Sequence, residues 1–349
     1  MSERLRTHVL VVGAGPVGTL LACELARFAA RCVIVDRARE ASSSSRASDV
    51  KAATLEALDA SGLADEVIRA GTRIDRFVLR SGTRTILECD LALTRSKFPF
   101  LVGLEQSRLE QILGARLASL GGAVRRGTAL VGLRAHDHGV RATLVDDVGA
   151  EVTVDAEWLV ACDGAHSTVR ELLGVPFDGS TYLDRLLVAD AYVRWPLPSG
   201  EIQCFVHSDG CLYFQPLPGE HRYRILGMDR RATTPDLERA AFLALVGRVA
   251  RVPMTIEPAT PITCVRIHRR MLRTPRYGRI VFAGDAARLV SPVGGFGLNV
   301  GLQDACGLGW RLASACEGAA SSTLLDGYVR ERGQVARSML RETHCLTRI

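Results

Sequence analysis

The sequence predicts an α/β protein in which a parallel-sheet domain is interrupted by a mostly antiparallel one. Three observations predict it. A strand, a glycine turn, a helix and a second strand follow one another within the first 36 residues. Two later apolar strands end in Asp163-Gly164 and Gly284-Asp285. Between them, from Leu186 to Met228, lie several strand-like runs separated by turn residues.

The elements follow in order. His8–Val12 is an apolar strand. It enters Gly13-Ala-Gly-Pro-Val-Gly18 and a helix from about Pro16 to Phe28, whose Val17, Leu21, Leu25 and Phe28 share one face. Pro16 suits a first helical turn, where no backbone donor is needed. Cys32–Val35 is the second strand, which implies a right-handed parallel crossover. The Ser42–Ser45 run reads as a loop, and helices follow near Thr54–Ala60, stopped by Gly62, and Ser107–Leu120. Strand character returns at about Arg76–Leu93, and a small meander is expected near Val124, Ala142 and Val152. Trp158–Cys162 is a buried strand, followed by a short helix for which Thr168-x-x-Glu171 is a capping-box candidate. Ser208-Asp209-Gly210 is expected to close a hairpin between Ile202–His207 and Cys211–Pro216. A helix near Asp236–Val246 and a strand near Ile262–Ile267 precede the buried strand Arg279–Ala283. Helices from about Asn299 to Ala315 and Thr323 to Arg337 end the pattern. We expect residues 1–74, 96–178 and 275–349 to form the first domain, discontinuously, and residues 75–95 and 179–274 to form the inserted one.

Gly13 permits the tight turn, Gly15 lets backbone approach a pyrophosphate, and Gly18 lets the helix pack close to the sheet. The helix N-terminus, which Pro16 opens with its fixed φ and Val17 continues, presents free N–H groups to phosphate. Asp36, 21 residues after Gly15, can accept hydrogen bonds from ribose hydroxyls, with Arg37 beside it. This motif alone does not distinguish NAD from FAD, and a glycine turn needed only for packing is the plainer alternative. The later segments favour FAD. Asp285 follows a buried strand, where open sheets bind ligands, and can bond a ribityl hydroxyl. The loop Ser291–Leu298, with Pro292, Gly294, Gly295 and Gly297, can lie against a flat ring because no Cβ intervenes. Asn299 is a candidate helix cap, and the helix behind it points its positive end at that ring.

With these motifs in this order, the chain resembles the class A flavoprotein monooxygenases, the para-hydroxybenzoate hydroxylase-like group. The resemblance is strongest at Thr7–Arg46, Leu101–Leu113, Leu159–Gly174 and Gly278–Ala313. It implies a Rossmann-like FAD-binding domain of the glutathione reductase type with an inserted antiparallel substrate domain. It also implies that Asp36 binds the adenosine ribose and that Arg46 and Gln106 contact FAD. Asp163 and Gly164 would serve both FAD and NAD(P)H, with Arg170 closing that motif. Gly284 and Asp285 would hold the ribityl chain, and backbone at Gly295, Leu298 and Asn299 would contact the flavin ring. The family usually has His at Arg288 and often Gln at Phe296. A thioredoxin-like C-terminal domain carried by larger members is not expected. The chemistry implied is reduction of FAD by NAD(P)H, addition of O2 at flavin C4a to give a hydroperoxide, and transfer of one oxygen atom to an aromatic or polycyclic small molecule. An oxidase, reductase, epoxidase or Baeyer–Villiger enzyme on the same scaffold is the alternative, and a non-catalytic flavin-binding sensor a second.

Weaker signals are His207 and Tyr213 on the expected hairpin, either of which can deprotonate or orient a phenol, and Arg224, which can meet an acidic substrate group. The bulk numbers bound these readings. The 349 residues carry a net charge of +6 from scattered arginines, with Lys51 and Lys97 the only lysines. That arginine bias is one of a GC-rich bacterial genome, and the family resemblance implies a setting in bacterial secondary metabolism. No basic tract argues for nucleic acid, and no apolar run reaches a membrane span. The N-terminus lacks the shape of a signal peptide, and the ten cysteines lack metal-finger spacing. A cytoplasmic monomer or homodimer without a metal is expected.

Overall fold

Strand register decides where the turns of this chain emerge. The computed structural model describes residues 3–41, 47–231, 239–318 and 323–348, so the serine run, Arg46 and the expected helix start at Asp236 lie outside the described residues. The chain divides into two compact units, one of residues 1–47, 106–180 and 269–349, the other of residues 48–105 and 181–268.

The first unit is built on a sheet in the order Arg276–Tyr277, Ile280–Phe282, Glu151–Ala161, Glu3–Val12, Cys32–Val35 and Val124–Arg125. All neighbours are parallel except the first pair. A meander of Ala129–His136 and Gly139–Val145 joins Glu151–Ala161 antiparallel. The interior strands read as continuous apolar runs because both faces are covered; Val9, Leu10 and Val11 are fully buried. Val12 pairs with both Val35 and Ala161, and Ala161 with Phe282. These carboxyl-terminal ends therefore stand in one row. The ladder runs one step further through Gly13 N–H to Val35 O (2.8 Å), Cys162 N–H to Val12 O (2.7 Å) and Ala283 N–H to Ala161 O (3.0 Å). Three turns far apart in sequence are thus delivered to one sheet edge.

The helix Pro16–Arg27 packs on this sheet and on the helix Phe296–Cys316. Close approach depends on glycine. Gly13 has φ +99°, and a Cβ on Gly18 would overlap the Gly13 carbonyl. The helix Thr323–Arg348 extends eleven residues past the expected end at Arg337 and packs against Phe296–Cys316. Two expected caps move. Ser167, not Thr168, caps the helix Thr168–Leu173, its Oγ accepting from Arg170 N–H at 3.1 Å. Asn299 sits inside the helix that begins at Phe296, because Gly295, in the left-handed region at φ +66°, takes the cap position.

The second unit holds a sheet that includes Thr263–Met271, Asp178–Arg194, Arg222–Asp229, Gly210–Pro216, Glu201–His207, Arg76–Ser81 and Arg84–Asp90 in that order. The strands Asp178–Arg194 and Thr263–Met271 carry the chain across the unit boundaries. Glu201–His207 runs parallel to Arg76–Ser81, and the other pairings around the expected hairpin are antiparallel. One face packs Phe205, Leu212, Phe214 and Ile225 under the helix Arg239–Ala250. Residues 48–74 and 96–105, expected in the first domain, group with this unit instead. Their strands are two or three residues long and pair only with each other, Asp49–Val50 and Thr72–Ile74 both on Leu101–Gly103. Ser48 Oγ also donates to Gln215 Oε1 at 3.0 Å. Among the described residues no helix is long and apolar enough to cross a membrane.

Substituting Gly18→Ala drives a methyl group into the Gly13 carbonyl of the turn that precedes the helix. We expect a loss of about 1–3 kcal/mol in urea unfolding of the flavin-free protein, whereas Gly114→Ala, inside the helix Gln106–Ser119 where a Cβ meets nothing within 4 Å, is expected to gain up to about 1 kcal/mol.

Candidate functional site

The strand ends at Val12, Val35 and Cys162 open into a cleft of about 290 Å³ in the first unit, lined among others by Gly13, Gly15, Asp36, Asp163, Gly164 and His166. Asp36 organises one side. Its Oδ2 accepts from Ala14 N–H at 2.7 Å and its Oδ1 from Ala38 N–H at 2.8 Å. The carboxylate thereby ties the glycine turn to the loop after the second strand and keeps lone pairs for a further donor. Arg37 is exposed beside it and also lines the cleft. A Cβ on Gly15 would meet nothing within 4 Å. Its absence therefore serves no protein contact and leaves open space at a helix N-terminus, where backbone N–H groups attract phosphate. Pro16 is buried at the first helical position, and Val17 packs against Gly284 and Gly301.

Asp163 faces the same cleft. Its Oδ2 accepts from Val169 N–H at 3.1 Å, whereas Oδ1 is buried without a partner among the described residues. Burial pushes this carboxyl above the usual aspartate range. An orphaned acceptor beside Gly164, itself at φ +78° with open space where a side chain would be, fits a hydroxyl-bearing ligand. Arg170 is committed elsewhere. Its guanidinium donates to the carbonyls of Gly164, Ala165 and Ala286 and lies over the Phe177 ring at 4.0 Å. It staples the 163–165 turn to the 284–286 turn rather than projecting into open space.

Gly284–Ala286 is a single 3₁₀ turn with Gly284 at φ +58° and Asp285 exposed, close enough to Arg170 for their charges to interact. Pro292, Gly297 and Leu298 are half-buried around the following loop. Pro292 O accepts from Gly295 N–H at 3.0 Å, and Asn299 Nδ2 donates to Gly295 O at 2.9 Å, so the loop's shape is self-supporting. Phe296 lies over Gly294, occupying the place a side chain there would take. Gln106 exchanges hydrogen bonds with the backbone of Ala47, and its Nε2 donates to Glu110 at 2.9 Å. Arg46, next in the chain, is outside the described residues.

Asp304 and Arg332 were not legible as site residues. Asp304, fully buried, receives Arg288 Nη2 at 2.6 Å and Gly284 N–H at 3.0 Å on Oδ2, and Arg332 Nε at 2.6 Å on Oδ1. Arg288 thus points into the core. The available signal was a lone acid inside the apolar helix stretch Val300–Leu312.

In the second unit, Arg224 is bound through Nε and Nη2 to Asp190 (2.7 and 3.0 Å) and is buried, so it belongs to the core. His207 Nδ1 accepts from Asp209 N–H at 3.2 Å within the hairpin turn. Tyr213 stands in a row of directly paired residues, Cys204, Tyr213, Leu226 and Val188, that are half-buried on the sheet face opposite Phe205 and Phe214. Burial, with Asp49 and Cys204 near it, holds its hydroxyl pKa well above the ordinary value. No cluster of metal-ligating side chains exists among the described residues.

Comparison with known proteins identifies relatives of the whole chain. Residues 6–343 match the family model described as FAD binding domain. The chain is 35% identical over 348 residues to 6-methylpretetramide 4-monooxygenase of Streptomyces rimosus, covering 97% of this chain and 61% of the relative. It is 33% identical over 349 residues to pentachlorophenol 4-monooxygenase of Sphingobium chlorophenolicum, covering 98% and 64%. The chain thus spans a little over three fifths of these curated relatives. A crystal structure of aklavinone-11 hydroxylase with FAD and aklavinone superposes with a TM-score of 0.85 at 29% identity, covering 97% of this chain and 68% of that one.

Wherever Asp163 is ionised in the fold it carries a burial penalty, which is why its pKa is raised. In the flavin-free protein Asp163→Asn therefore raises stability at pH values above the folded pKa of Asp163. Because the folded pKa lies above the unfolded one, the native protein regains this stability as pH falls through the folded pKa. The advantage of the variant shrinks over that interval and vanishes below the ordinary aspartate pKa, as thermal melts across pH will record.

Proposed function

The chain belongs to the FAD binding domain family, and on that footing we propose that it is an FAD- and NAD(P)H-dependent monooxygenase that places one atom of O2 into an aromatic or polycyclic small molecule. The observation that carries the reading is the convergence of the 13–18, 163–164 and 284–285 turns on one sheet edge. In this reading the first unit is a Rossmann-like domain of the glutathione reductase type, and the second is the inserted substrate domain.

When bound, FAD supplies a ring that takes a hydride from NAD(P)H and then activates O2, chemistry beyond any side chain. The residues hold and shield. Asp36 accepts from the ribose. The N–H groups of Gly15 and Val17 receive the pyrophosphate. Asp163 supplies its orphaned oxygen to a hydroxyl. Asp285 meets the ribityl chain, with Gly284 setting its turn, and Arg46 and Gln106 add polar contacts. Backbone at Gly295, Leu298 and Asn299 faces the ring, where the helix N-terminus favours negative charge.

The half-buried row on the second unit supports the aromatic part of the reading. Val188, Leu226 and Cys204 offer an apolar floor and Tyr213 a single hydroxyl. That hydroxyl stays protonated at neutral pH, so it donates to a phenol or phenolate oxygen and does not act as a base.

The purified chain is expected to bind one FAD, and a phenolic substrate is expected to accelerate NAD(P)H oxidation with one ¹⁸O atom from ¹⁸O2 in the product. Peroxide released in place of labelled product rejects the monooxygenase and favours an oxidase. Asp285→Ala is expected to weaken FAD binding about ten- to a hundredfold, the scale of a charged hydrogen bond, and unchanged affinity removes Asp285 from the site. For Tyr213→Phe we expect KM for a phenolic substrate to rise about fivefold, the scale of one neutral hydrogen bond, with FAD affinity unchanged.

A further inference from the structure

Asp304 is a carboxylate with too many cations. Two guanidinium groups, each 7% exposed, bind its two oxygens, while Asp304 itself is 0% exposed. Tyr328, buried nearby, is kept neutral because burial and Asp304 push its pKa far up. Glu331 stands 3.9 Å from Arg332, but it is half-exposed and held by Arg311 at 2.8 Å. The cluster therefore keeps about one surplus positive charge in a core. Burying an uncompensated charge is costly, so a fold that retains one gains something from it elsewhere.

Its position indicates what. Asp304 Oδ2 accepts the N–H of Gly284, one residue from Asp285. Arg332 Nη2 also donates to Val300 O, in the first turns of the helix Phe296–Cys316. At the C-terminal end of the Thr323–Arg348 helix, the hydroxyls of Thr347 and Ser291 are hydrogen-bonded at 2.7 Å, pinning the loop that leads into the helix Phe296–Cys316. One helix thus braces both backbone segments assigned above to the flavin.

We infer that the Arg288–Asp304–Arg332 cluster is a positioning and electrostatic element that favours the reduced, anionic form of bound FAD. The inference rests on the flavin-site reading of Proposed function. A hydride from NAD(P)H carries two electrons and one proton to FAD, leaving NAD(P)⁺ and a flavin with one more negative charge. A fixed cation in a region of low dielectric stabilises that product over the oxidised form. Neither arginine touches the ring in this assignment, so both act through charge and through the turn they hold.

The test compares the midpoint potential of bound FAD in Arg332→Gln, Arg332→Lys and Arg288→Gln, alongside FAD affinity and the melting temperature of the flavin-free protein. Gln keeps a hydrogen bond to Asp304 and removes the charge; Lys keeps the charge and loses the planar fork. Each Gln variant is expected to lower the preference for reduced over oxidised FAD about tenfold, a fall of about 30 mV for a two-electron couple. Arg332→Lys is expected to stay within about twofold of native. Potentials in both Gln variants equal to native overturn the inference, as does an equal fall in Lys and Gln. A native chain that takes up no FAD overturns the underlying reading instead, a result visible before any variant is made.

Discussion

The parallel register that sets Val12, Val35, Ala161 and Phe282 side by side is the constraint on which the site depends. A register slip in any of these strands would exchange its two packed faces and carry its turn away from the others. The apolar strands thus stabilise the fold and aim the turns at once. Side chains then refine what the register places: Asp36 ties the first turn to the second strand's exit, and Arg170 joins the 163–165 turn to the 284–286 turn.

Charge in the first unit is divided between structure and ligand. Arg170 and Arg288 are both near the cleft segments, yet both are consumed by protein acceptors. Asp163 is the reverse case, with one oxygen satisfied by the helix it precedes and the other left over. Buried polar atoms in folded proteins nearly always find partners. The leftover Asp163 oxygen, on a residue that lines the cleft, is therefore where a hydroxyl from outside the chain fits.

The alternation along Glu201–His207 and Gly210–Pro216 separates two roles in the second unit. Phe205, Leu212 and Phe214 build the core under the helix Arg239–Ala250, and Cys204 and Tyr213 stand on the opposite face. Arg224 belongs to the core system because Asp190 takes its guanidinium in two hydrogen bonds. Its sequence neighbours carry no sign of that pairing, since Asp190 is 34 residues away on an adjacent strand.

The glycine turn, Asp36, the Asp-Gly and Gly-Asp strand ends and the hairpin at Ser208–Gly210 were legible from residue order, because each depends on local backbone geometry that few residue types permit. The strands of two or three residues within 48–74 and 96–105 were not, because pairings so short leave no periodicity to read. Nor were the caps at Ser167 and Gly295, which a shift of one to four residues separates from equally good candidates. The fate of the arginines was least legible of all. A guanidinium suits a phosphate, a substrate carboxylate or a buried aspartate equally well, and only the folded chain, by bringing Asp304 to Arg288 and Arg332 across 16 and 28 residues, decides which it meets.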